Sequence, residues 1–167
     1  MALTQVASGL IASVSGASLT GTQNIPKATL PTGSVLQVVN ATYATGTSTT
    51  STSYVDTGLT ATITPTSSTS KILVCVTQTL SPVTSGSSTF GGWICLRGST
   101  TIYTDARINM YMQYAHSTYS CFVLDSPATT SATTYKTQMV TGNASYTIEA
   151  QHGNLRTSTI SLLEIAA

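Results

Sequence analysis

From Ser34 onward the sequence is a succession of short runs of strand-forming residues cut by turn chemistry at intervals of about ten residues. Leu59, Ala61 and Ile63 alternate with Thr60, Thr62 and Thr64, the period of two that puts one set of side chains on a dry face and the other in water. Pro82 to Gly86, Gly98, Asp125-Ser126-Pro127, Gly142-Asn143 and Gly153-Asn154 punctuate the rest. Ser and Thr make up about a third of the chain, and their side chains favour strands over helices. Such a chain has neither the long helical periods of a bundle nor the spacing of βαβ units.

The runs are Val35–Val39, Leu59–Ile63, Ile72–Val76, Trp93–Leu96, Thr100–Tyr103, Tyr119–Leu124, Tyr135–Val140, Tyr146–Ala150 and Thr159–Ile165. Gly98 turns Trp93–Leu96 into a hairpin with Thr100–Tyr103. Gly46 to Ser53 reads either as a loop or as a Thr-rich edge. Asp105 to His116 suits a helix face through Ile108, Tyr111, Met112 and Ala115, or a strand through Ile108, Met110, Met112 and Tyr114; strand or loop is the preferred reading. The expected fold is all-β, an antiparallel jelly-roll β-sandwich of about 8–10 short strands over residues 34–167. Residues 1–33 form a separate extended N-terminal arm, because Gly, Ala, Ser and Thr dominate them and Pro26 and Pro31 close them; so few large apolar anchors do not fold alone. The arm is expected to lie against a neighbouring subunit or another protein.

Charge excludes several classes of function. Six basic residues, Lys27, Lys71, Arg97, Arg107, Lys136 and Arg156, are scattered against five acidic ones, so no phosphate-tracking patch exists and nucleic acid is not an expected partner. No apolar run approaches the ~20 residues of a membrane-spanning helix, and residues 1–17 lack the basic start of a signal peptide. Cys75, Cys95 and Cys121 fit neither a C-x-x-C pair nor a disulfide framework; each lies in an apolar run and is expected as a buried thiol.

Catalysis needs titratable groups brought together, and the acids and histidines are few: Asp56, Asp105, Asp125, Glu149, Glu164, His116 and His152. The hydrolase elbow, the phosphate-binding loop, the zinc helix and the dinucleotide fingerprint are all missing from the sequence. Glu149 and His152, three apart, point to opposite faces if both lie on a strand. No enzymatic activity, metal or cofactor is expected. Tyr is the commonest aromatic, with eight against two Phe, and its flat body with a polar tip suits interfaces and sugar rings. Tyr103, Tyr111, Tyr114 and Tyr119 bracket the ambiguous segment as a possible ligand surface, the alternative being a wall of half-buried strand residues.

Four blocks carry a resemblance: Gly33 to Val74, beginning GSVLQVVNATYATGTSTTSTSYVDTGLTATIT; Trp93 to Thr100 (WICLRGST); Leu124 to Thr130 (LDSPATT) with Thr134-Tyr135-Lys136; and Ser158 to Ile165 (STISLLEI). In order and spacing they resemble a module of structural appendage proteins of tailed bacteriophages, found in tail fibres, head fibres and capsid decorations. The resemblance implies a C1q- or TNF-like jelly roll assembled as a homotrimer on the virion, docked to other virion proteins through residues 1–33, with a host surface glycan as a second possible partner. Under it, Ile72, Val74, Val76 and Leu162 are expected near an inter-subunit seam. Ile72–Val76 is apolar at five consecutive positions, and Leu162 shares the strand face of Glu164, a face expected to be wet.

Overall fold

The computed structural model describes residues 30–84, 89–110 and 115–167. Within Pro31–Ala167 ten strands are formed: β1 Val35–Tyr43, β2 Thr47–Thr49, β3 Val55–Ile63, β4 Lys71–Pro82, β5 Thr89–Arg97, β6 Thr100–Met110, β7 Ser117–Asp125, β8 Thr133–Thr141, β9 Ile148–Ala150 and β10 Ser158–Ile165. They build two antiparallel sheets packed as a β-sandwich. The first runs β1-β10-β4-β7, with β9 and β2 extending it beside the end of β4; the second runs β3-β8-β5-β6. The chain repeatedly changes sheet as it proceeds, the connectivity of a jelly roll.

Alternation places the core. β3 buries Leu59, Ala61 and Ile63 while Thr60 and Thr62 face out, and β10 buries Ile160 and Leu162. Trp93 and Tyr135, each fully buried, fill the space between the sheets beside Ile72, Val74 and Met139. Residues 105–110 continue β6 as a strand, and Thr47–Thr49 pairs with β9, so the Thr-rich reading of that stretch holds. The β5–β6 hairpin turns at Gly98, whose φ of +56° suits a two-residue hairpin turn.

The interior is not wholly apolar. Gln78, Thr57, Thr137, Ser158 and Gln151 are all fully buried and bond one another: Thr137 Oγ1 donates to Gln78 Oε1 at 2.8 Å, and Gln78 Nε2 donates to Ser158 Oγ at 3.1 Å. With its amide oriented to satisfy both ends, Gln151 accepts from Ser158 Oγ and Gln78 Nε2 and donates to the Thr57 and Ala150 carbonyls. Every member gains partners, so the cluster avoids the cost of an orphaned buried polar group.

Gly58 lies in β3 where its register against β8 shifts. Its φ is +90°, and a Cβ there would overlap the ring of Tyr43 on β1. Gly58 therefore lets a ring from the first sheet lie directly on the backbone of the second. Gly58→Ala is expected to lower stability by about 2 kcal/mol, from positive-φ strain and steric overlap together. Chemical unfolding of that variant, alone and combined with Tyr43→Ala, should show the double substitution costing less than the sum of the two singles.

Candidate functional site

The described carboxylates mainly serve the sandwich. Asp125, at the end of β7, accepts from Arg97 Nη1 through both oxygens at 2.8 Å and from the Tyr135 hydroxyl at 2.7 Å. This ties a strand of the first sheet to two of the second. Burial, followed by the bond and charge of Asp125, raises the Tyr135 phenol well above its ordinary range. Glu164 of β10 is fully buried; it accepts from Gln37 Nε2 at 2.6 Å and from the Thr66 amide and hydroxyl, both at 2.7 Å. Burial pushes its carboxyl up, and the Ser70 hydroxyl, followed by the Gln37 and Thr66 donors, more than reverses that, holding it below the usual carboxylate range. Asp56 is likewise held low: its slight burial is outweighed by Lys136 Nζ and Gln138 Nε2 on the neighbouring strand.

Glu149 and His152 meet, with 2.5 Å between Oε2 and Nδ1. The expectation that they point to opposite faces is corrected, because β9 ends at Ala150 and a 3-10 turn over His152–Asn154 swings the imidazole back. His116 packs against His152 with ring centroids 5.1 Å apart and planes tilted by 40°, and its Nδ1 lies 2.8 Å from Ser81 Oγ. Desolvation, then the charges of Arg156 and His152, hold His116 below the ordinary histidine range. This is not a nucleophile relay, since the carboxylate bonds His152 rather than the histidine that touches Ser81, and Ser81 is itself buried. Among the described residues no group of three or more His, Cys, Asp or Glu is arranged to hold a metal ion. A depression over Asp56, Gly58, Leu59, Thr60, Lys136 and Thr137 holds about 170 Å³, well short of the roughly 300 Å³ at which small-molecule sites begin.

The expected seam residues are elsewhere. Ile72, Val74, Val76 and Leu162 are at most 1% exposed and point between the sheets, so they belong to the subunit's own core and this expectation is corrected. Tyr103 and Tyr119 are half-buried against that core, Tyr103 with its ring centroid 5.1 Å from that of Trp93. Tyr111 and Tyr114 lie outside the described residues, as do residues 1–29 of the expected arm. Of the three thiols, Cys95 and Cys121 are buried, and burial pushes both up to about 12. Cys75 is only partly covered.

The surface that sequence reading missed is the outward face of β1-β10-β4-β7. The strand registers align Val38, Leu163, Leu73 and Leu124 in one row across four strands, and Asn40, Ser161, Cys75 and Phe122 in the next. The third row is Thr42, Thr159, Thr77 and Ser120. Phe122 is 76% exposed, Val38 60% and Leu124 56%. The signal was present in the sequence as Leu73 and Leu163, each one residue from a position assigned to the seam.

No protein-family model matches the chain, and no curated protein matches it in sequence. Solved structures similar to it include the T13 particle of infectious bursal disease virus, at 16% identity and a TM-score of 0.47, covering 89% of this chain and 40% of that one. The Gx strain of infectious bursal disease virus is similar at 14% identity and a TM-score of 0.42, over 89% and 43%. A VP2 subviral particle of the virus matches at 15% identity and a TM-score of 0.40, also over 89% and 43%. The chain spans less than half the length of each. At such similarity the function is read from the chain's own residues.

Proposed function

We propose that this chain is a structural component of a tailed-phage virion, a short homotrimeric β-sandwich appendage of the fibre or capsid-decoration kind. It is exposed on the particle and anchored to other virion proteins through residues 1–33. The observation that carries the reading is the division of labour among side chains. Asp56, Asp125, Glu149 and Glu164 are occupied in contacts within the sandwich, while the outward sheet face offers aligned apolar and hydroxyl side chains. The first arrangement leaves little chemistry to perform, and the second suits association. The four sequence blocks that resemble phage appendage modules supply the virion context.

Antibody raised against residues 31–167 is expected to decorate intact particles of the phage that encodes the chain, on projections from the tail or on the capsid surface. Particles that bind no antibody and yield none of the chain after denaturation would overturn the proposal.

A further inference from the structure

We infer that the outward face of β1-β10-β4-β7 is the surface on which a second copy of this chain packs, centred on Val38, Leu163, Leu73 and Leu124 with Phe122 and Cys75 in the adjoining row. The inference rests on the self-assembling structural reading above and names the surface that serves it.

The row is continuous, because the registers place Val38 opposite Leu163, Leu163 opposite Leu73, and Leu73 opposite Leu124. Directly opposed side chains in antiparallel strands lie about 5 Å apart, so the four form one apolar ridge. Phe122 and Leu124 project from β7, while β1 closes the other edge with Val38 and with Val35, which is 49% exposed. Monomeric proteins seldom leave an apolar ridge of this kind open to water.

Charge selects the occupant. The three rows hold no ionisable side chain except the Cys75 thiol, and Lys71, two residues before Leu73 on β4, donates to Ser126 Oγ at 2.9 Å. A partner with an ordinary charged surface, about a quarter of its residues, would bury charge here with no counter-charge to meet it. This chain has only 7% charged residues, so a second copy offers an equally uncharged surface. With strands about 4.8 Å apart and outward residues about 6.8 Å apart along each strand, four strands by three rows give a flat footprint of about 390 Å². Side-chain relief adds to that, towards the roughly 600 Å² per partner at which stable interfaces begin.

The face is also polarised. Its apolar end is the end at which the chain joins the sheet, where the Gly33 amide donates to the Ala166 carbonyl and the Ala166 amide to the Ser34 carbonyl. Its far end carries the hydroxyls of Thr42, Thr159, Thr77 and Ser120. Copies that meet on this face bring their residues 31–34 towards one another and place the hydroxyl row at the rim of the contact.

The test is light scattering on the full chain, with Phe122→Thr/Leu124→Thr as the disrupting variant and Leu155→Ser, an 84% exposed leucine outside the three rows, as control. Wild type and L155S are expected at a whole multiple of 17.3 kDa. The double variant should fall to the single-chain mass, its association weakened about 100-fold or more, as loss of central interface anchors does. If the double variant keeps the wild-type mass, the assigned surface is wrong and self-assembly stands. If the wild type is itself a single chain, both fall. Thiol labelling gives a second readout that needs no variant: Cys75 of the wild type should react faster when dilution dissociates the assembly, with Cys95 and Cys121 protected throughout. A Cys75 rate independent of association would overturn the inference.

Discussion

Asp125→Ala is expected to destabilise the sandwich by about 2–4 kcal/mol, the range for breaking a largely buried ion pair after allowance for the partial exposure of Arg97. The loss is more than one contact. Asp125 accepts from Arg97 Nη1 and from the hydroxyl of the fully buried Tyr135, so its removal leaves the buried phenol without its acceptor and the guanidinium with the Ser126 carbonyl and water. Tyr135→Phe removes only one donor and should cost about 1 kcal/mol. Because the two changes share a partner, the double variant should cost less than the sum of the singles. Urea unfolding followed by the fluorescence of Trp93, the one tryptophan, measures all three. Equal midpoints for wild type and D125A would remove Asp125 from the account of how the sheets are joined.

Glu164→Gln should cost about 2–3 kcal/mol at neutral pH, since the amide turns one of two acceptor oxygens into a donor that faces Gln37 or Thr66. The sign of its pH dependence follows from the depressed carboxyl. The folded state holds Glu164 below its ordinary value of 4.5, so its contribution is complete above that value and is lost as pH falls through the lower folded one. The stability gap between wild type and E164Q should therefore be flat from pH 7 to about 5 and shrink in more acidic buffer. A gap that widens in acid would mean that the carboxyl is not ionised in the fold.

Glu164 also explains which parts of the molecule were legible in sequence. Period-two alternation located most of the strands, because along β3 and β8 buried residues alternate strictly with exposed or half-buried ones from Thr57 and from Tyr135 onward. The same rule inverted β10. A glutamate marks the wet face in most strands, so Leu162 beside it looked exposed, yet Glu164 is inside, satisfied by a loop threonine 98 residues away and by Gln37 of β1. Once that parity is reversed, Leu162, Ile72, Val74 and Val76 fall into the core, and Leu163 and Leu73 come to the surface. Gln78 and Gln151 were invisible as core residues for a similar reason. Their burial depends on Ser158, Thr57 and Thr137, which only the folded chain brings together. The contact between His152 and Glu149 was not legible although the strand end at Ala150 was, because it depends on the 3-10 turn over His152–Asn154 swinging the imidazole back, a geometry that residue spacing does not encode.

An assembly held by the uncharged face should be insensitive to ionic strength. Salt screens charges separated by more than about 10 Å at 0.1 M and about 3 Å at 1 M, and leaves apolar burial intact or strengthened. Sedimentation velocity of the full chain from about 0.05 to 1 M sodium chloride tests this directly. The account predicts one oligomeric species of constant mass across the series. Dissociation with rising salt, or a single chain of 17.3 kDa throughout, would contradict it.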